Sequence, residues 1–156
     1  MNPPTILVVG TADTKSDELN FLRDCVQAQA ANALLMDVGV LAAGVARVDI
    51  TSEEVAIAAG TTLAAVGSSG DENRAMTLMA QGAAKTAAAL WRAGRIQGLL
   101  ALGGTMGTDL ALDVAAALPL GCPKVVLSTV AHSHLIAPER ISPDLTMMLW
   151  AGGLYG

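Results

Sequence analysis

Four short segments of this chain carry hydroxyls, carboxylates, a cation or clustered glycines within an otherwise apolar sequence. Gly10-Thr11-Ala12-Asp13-Thr14-Lys15 combines a permissive glycine, two hydroxyls, a carboxylate and an ammonium. Asp37-Val38-Gly39 places a carboxylate at the end of an apolar run. Gly103-Gly104-Thr105-Met106-Gly107-Thr108 offers glycines that let backbone amides approach an anion, with threonine hydroxyls to complete its coordination at a helix start. Ser128-Thr129 precedes His132-Ser133-His134. Phosphate binding is the chemistry that these types and spacings suit. The glycine run is neither Gly-x-x-x-x-Gly-Lys-Ser/Thr nor Gly-x-Gly-x-x-Gly, so it specifies neither a Walker loop nor a dinucleotide fingerprint. Its plain alternative is a tight strand-to-helix turn in which the glycines relieve crowding. For Thr11, Asp13, Thr14 and Lys15 the alternative is a helix start with a solvated lysine.

Other constellations point to less. His132 and His134 would share one face of an extended segment, and Glu139 or Asp144 could add a carboxylate ligand. The alternative is a polar loop that lines the crevice or meets another subunit, and no metal site is assigned. Asp109 and Asp113, one helical turn apart, read as dipole compensation on a solvated face rather than as paired acid/base chemistry. Ser128 lacks the Gly-x-Ser-x-Gly elbow of a nucleophile, and Cys122 lies between a glycine and a proline in a turn on the wrong edge of the sheet. Cys25 and Cys122 have no Cys-x-x-Cys partner or nearby ligand-spaced histidine and are expected to be buried free thiols. No catalytic residue is assigned.

The elements that must position these segments follow from hydrophobic periodicity. Thr5 to Val9 reads as a strand, Ser16 to Ala31 as a helix with Leu19, Leu22, Cys25 and Val26 at helical spacing, and Ala33 to Val38 as a second strand. So short a link between helix and strand forces the new strand parallel to the first, a βαβ unit. Ser52, with Glu53 and Glu54 behind it, opens a short helix to about Ala59. Asp71 to Ala93 keeps a 3.6-residue period through Met76, Met79, Ala80, Ala83, Ala87, Leu90 and Trp91, a core stripe that stops at Gly94. Gly98 to Leu102 is a third strand, Gly103 to Thr108 a loop, Asp109 to Leu118 a helix, and Lys124 to Thr129 a fourth strand. A loop from Ala131 to Asp144 leads to a last apolar segment, Leu145 to Trp150. The class predicted is α/β: a Rossmann-like, doubly wound parallel sheet in three α/β/α layers. In such sheets ligands bind beyond the carboxyl ends of the strands, and all four polar segments fall there.

Composition narrows the function. The 156 residues are one domain's worth of chain. They are 53% hydrophobic, with 29 alanines and 16 glycines. Only 15% are charged, against roughly 25% in an average soluble domain, so part of the surface is expected to meet a partner, with a homo-oligomer as the simplest case. Nine basic against 14 acidic side chains give a net charge of -5 and no basic run, which argues against nucleic acid. No run is long enough to span a membrane and Met-Asn-Pro-Pro does not open a signal peptide, so a cytoplasmic protein is expected. The uncharged end, Leu149 to Gly156, suggests that residues 1–156 are one domain excerpted from a longer protein, cut where a linker or second domain would begin.

As an ordered set, Gly10 to Lys15, Asp37-Val38-Gly39, Gly103 to Ala111, Pro123 to Thr129 and Asp144 to Met148 resemble one family. It is the ATP-binding domain family of the tomato mosaic virus resistance protein, whose bacterial members form an uncharacterised protein family. The resemblance implies a Rossmann-like N-terminal subdomain followed by a second α/β subdomain. It also implies an ATP site, with or without magnesium. On the matching positions that site comprises Gly10, Thr11, Asp13, Thr14 and Lys15, then Gly103, Gly104, Thr105, Gly107 and Thr108, then Ser128 and Thr129. The His132 to Ser142 stretch departs from the family's small-residue pattern, which leaves another phosphorylated or carboxylated metabolite as the alternative ligand. An assembly module that holds a partner, with the glycines purely structural, is the alternative from another class.

Overall fold

The apolar runs form strands and the amphipathic runs form the helices that connect most of them. The computed structural model describes residues 2–41, 47–68 and 70–150. In order these form β1 (Thr5–Gly10), α1 (Ser16–Ala28), β2 (Asn32–Asp37), α2 (Ser52–Ala58), α3 (Leu63–Gly67) and α4 (Glu72–Arg92). β3 (Gly98–Gly103), α5 (Thr105–Ala116), β4 (Lys124–Ser128), a 3-10 turn (Pro138–Arg140) and β5 (Leu145–Leu149) follow. The strands make one five-stranded sheet in the order β2-β1-β3-β4-β5, every neighbouring pair parallel. This is the doubly wound order in which β1 and β3 are neighbours whose connections leave toward opposite faces. The Rossmann-like α/β class expected from the sequence is the fold observed.

Packing divides the helices unequally. α1 covers one face alone, setting Leu19, Leu22 and Val26 against Val8, Leu35 and Ala12. α2, α4 and α5 cover the other, where Leu7, Val9, Met36, Leu99, Ala101 and Val126 meet Val55, Met79, Ala83 and Val114. The many alanines are explained by this crowded layer. At Gly82 of α4 an added Cβ would lie 2.0 Å from the Val55 carbonyl oxygen of α2, so only glycine lets the two helices come so close. The stripe from Met76 to Trp91 faces the core as expected, with Met79, Ala83 and Ala87 fully buried.

Two expectations are corrected, and one stretch left without an element is filled. The helix placed at Asp109 begins at Thr105, because the Thr108 amide and hydroxyl both donate to the Gly104 carbonyl and draw four of the six residues of the glycine segment into the first turn. Cys25 is exposed on the outer side of α1; only Cys122 is buried. The stretch Thr61 to Gly70, which has no clear period, contains a short helix nucleated by the Thr62 hydroxyl accepting from the Ala65 amide. The terminal stretch from Ala151 to Gly156 lies outside the described residues. Among the described residues no helix is long and apolar enough to cross a membrane.

Candidate functional site

β1 and β3 end side by side: Gly10 lies against Leu102, and the chain then turns toward α1 on one face and α5 on the other. The loops diverge there and open a crevice, the place where parallel sheets bind ligands. Gly10 is buried because Leu19 of α1 packs where its side chain would be, 2.7 Å from an ideal Cβ. In the following loop the Thr11 and Thr14 hydroxyls bond each other at 2.8 Å, and the amides of Thr14 and Lys15 both donate to the Thr11 carbonyl.

The end of β2 braces this loop. Asp37 is 5% exposed, and its Oδ1 accepts from the amides of Ala12 at 2.9 Å and Gly39 at 2.8 Å. One buried carboxylate thus fixes both the β1 loop and the β2 turn, a role that its position at the end of an apolar strand signals only indirectly. Asp13 leans over the same turn. Its Oδ2 accepts from the Leu41 amide at 3.0 Å and would stand 2.6 Å from a Cβ on Gly39, so a side chain there would have to displace the Asp13 carboxylate. Its Oδ1 is buried with no hydrogen-bond partner among the described residues.

The glycines after β3 divide into two kinds. At Gly103 a Cβ would lie 2.3 Å from the Gly107 carbonyl carbon and 2.6 Å from the Thr108 nitrogen, so this glycine is required by the return of the helix onto its own strand. At Gly104 the nearest atom to an added Cβ is Thr129 Oγ1 at 3.9 Å, and at Gly107 it is the Leu102 oxygen at 4.0 Å. Described residues do not fill the space in front of these two. Thr105 is exposed, while Thr108 and Ser128 are buried and bonded to each other. Thr129 lies beside Gly104, its amide donating to the Gly103 carbonyl. The crevice therefore unites Gly10 to Lys15, Gly103 to Thr108 and Thr129, with Thr108 and Ser128 as a brace beneath the surface.

Helix ends distinguish this crevice from the rest of the molecule. α2, α3 and α4 are capped by the side chains of Thr51, Thr62 and Asp71. α1 has no side-chain cap but carries Asp17 and Glu18 in its first turn. α5 has neither a side-chain cap nor a first-turn acid. The amides of Thr105, Met106 and Gly107 belong to a helical first turn, which supplies them no intrahelical acceptor, and the positive end of the helix dipole coincides with them. Lys15, at the N-cap of α1, holds its Nζ 4.8 Å from the ring centre of Trp150, which follows β5.

The loop after β4 turns outward. His132 and His134 are exposed, with His132 at a φ of 63°, and no group of three His, Cys, Asp or Glu side chains able to hold a metal occurs among the described residues. Asp109 and Asp113 are not merely solvated: Arg140 reaches Asp113 at 2.9 Å, Asp109 Oδ1 at 3.4 Å and the Asp109 carbonyl at 2.9 Å, tying this loop onto α5.

Fold and crevice together define a Rossmann-like α/β domain whose strand-end loops diverge at the β1/β3 switch point. Residues 4–156 match the model of the Uncharacterised protein family (UPF0261) N-terminal domain, and the chain belongs to that family. It is 53% identical over 155 residues to a UPF0261 protein of Brucella suis biovar 1, covering 99% of this chain and 37% of that one. A UPF0261 protein of Clostridium tetani is 35% identical over 143 residues. The ToMV resistance protein Tm-1(GCR237) of Solanum lycopersicum is 30% identical over 148 residues, 85% of this chain and 20% of its own. The chain thus spans little more than a third of the length of the bacterial relatives it matches.

Proposed function

We propose that this domain binds a phosphorylated small molecule, foremost ATP, in the crevice between the loops after β1 and β3. The observation that carries the reading is the bare first turn of α5. Among the described helices it alone has neither side-chain cap nor first-turn acid, and it opens beside Gly104 and Gly107, whose missing side chains leave room for an anion. The hydroxyls of Thr105 and Thr129 would add donors at the rim. Lys15 would supply a positive charge from the opposite wall, exchanging its aromatic contact for a phosphate. Asp13 Oδ1, buried without a partner among the described residues, is the open carboxylate oxygen suited to the magnesium that accompanies ATP. That ion would neutralise phosphate charge. The reading is one of binding, with no catalytic residue assigned.

A thermal-shift panel of ATP, ADP, AMP, GTP and small phosphorylated metabolites, with and without magnesium, tests it. A ligand at 100 times its Kd stabilises the fold by about 2.7 kcal/mol. The expected result is an upward shift selective for ATP, lost in Gly104→Val and weakened in Lys15→Ala. A shift for another phosphorylated or carboxylated metabolite would reassign the ligand, and none for any compound would overturn phosphate binding. The second reading, a surface that holds a partner, is favoured by a different observation: Phe21, Met148 and Leu149 are more than half exposed.

A further inference from the structure

Among the described residues, one face of the sheet is only half covered. Register places Leu100 and Leu102 of β3, Val125 and Leu127 of β4 and Met148 of β5 on the same face as Val8, the face that α1 covers over β1 and β2. Their neighbours along the strands, Leu99, Ala101 and Val126, are buried under the opposite layer. Beyond α1, no described helix lies over β3, β4 and β5 on this side. The connection from β4 to β5 offers no cover either, because Arg140 fastens it to α5 on the other face. A groove of about 420 Å³ results, walled by Phe21 and Leu22 of α1, Leu102 and Leu127 of the sheet, and Leu149 and Trp150. Parallel sheets normally have both faces covered, so a row of apolar side chains that runs from buried Leu102 through half-buried Leu100, Val125 and Leu127 to exposed Met148 is an incomplete core.

We propose that this groove is the seat of an amphipathic helix from the C-terminal portion that the longer relatives carry. Three observations select that occupant. The matched family region is an N-terminal domain, and this chain covers only 37% of the Brucella relative. Leu149 and Trp150, at the end of β5, form part of the groove itself, so polypeptide leading away from this domain is tethered at its mouth. The space matches one helix beside α1: spanning strands of five or six residues takes about 11 to 13 helical residues. Asp17 and Glu18 line the same groove and give it an acidic rim, which favours lysine or arginine flanking the helix's apolar stripe. The inference does not rest on phosphate binding: none of the wall residues belongs to the glycine loop, and the two sites touch through the Lys15 contact on Trp150.

The test uses a full-length family member carrying these residues. Phe21→Asp and Met148→Asp are compared with Leu120→Asp, a substitution at a residue 72% exposed in the turn before β4. The expected result is a Tm lowered by about 3 °C or more in both variants, Phe21 on the groove wall and Met148 on the same sheet face by register, independent of protein concentration and with unchanged mass by light scattering, against no change in the control. A gentler probe accompanies it: in a Cys25→Ser background, Phe21→Cys should react with a maleimide about tenfold more slowly than Leu120→Cys. Equal labelling rates would mean that the groove is open to water and would overturn the proposal. Loss of stability together with a halved mass would assign the face to a second copy of the chain and overturn it equally.

Discussion

The hydroxyls of Thr108 and Ser128 lie 2.6 Å apart, joining the first turn of α5 to the end of β4. Each hydroxyl has one proton, which fixes the direction of the chain of bonds. Thr108 donates to the Gly104 carbonyl, so Ser128 donates to Thr108, and Ser128 accepts from the Val130 amide. Both residues are 1% exposed or less, so a break strands a polar group away from water. Thr108→Val should cost about 1–3 kcal/mol in denaturant unfolding. The double variant with Ser128→Ala should cost less than the sum of the two, and strict additivity would show that the pair is not coupled.

Gly103 and Gly104 are adjacent and should answer oppositely to substitution. A methyl group at Gly103 collides with the backbone of Gly107 and Thr108, and Gly103→Ala should destabilise the domain by about 2–3 kcal/mol. A side chain at Gly104 meets no protein atom closer than 3.9 Å, so Gly104→Ala should melt near the parent temperature and lose affinity only for a phosphorylated ligand. Urea unfolding beside ligand titration separates the two effects.

At the opposite end of β4, the buried Lys124 ammonium contacts Asp144 at 2.7 Å and the Pro119 carbonyl at 2.9 Å. Hydrogen bonds from Lys124 and Ser142, with the Gly121 amide, hold the Asp144 carboxyl at about 2 against an ordinary 3.8. The folded state therefore favours the ionised form. The stability this confers is complete above about pH 4 and is lost as pH falls toward 2. Asp144→Asn should flatten acid unfolding in that window and lower stability at neutral pH, by leaving a buried ammonium without its counter-charge. Lys124→Met, which removes that charge, should be tolerated better, as circular dichroism across pH would report.

The two thiols should differ sharply. Cys25 is exposed and Cys122 buried, and burial pushes the Cys122 thiol upward, further from the reactive thiolate. A thiol reagent should label one group per chain in native buffer and two in denaturant. Two labelled groups under native conditions would mean that the turn before β4 opens readily.

Local periodicity determined much of this protein. The apolar runs at Thr5, Asn32, Gly98, Lys124 and Leu145 and the stripe through Met79 and Ala83 report elements because strand and helix periods are written in neighbouring residues. The polar segments were legible for the same reason: each sits where an apolar run stops, and a parallel sheet gathers those ends on one edge. Contacts between distant residues decided the rest. The Thr-Met-Gly-Thr segment has weak helix propensity, and its bonds to Gly104 and Ser128 make it the first turn of α5. Asp37 became the brace of the β1 loop, Asp109 and Asp113 the anchor for Arg140, and Cys25 an outward residue. Spacing along the chain cannot express these outcomes, because they depend on which face each crossover takes. The half-covered sheet belongs with them: β3, β4 and β5 are as apolar as strands buried on both sides, and only the placement of α1 and the Arg140 loop shows which face lacks its layer.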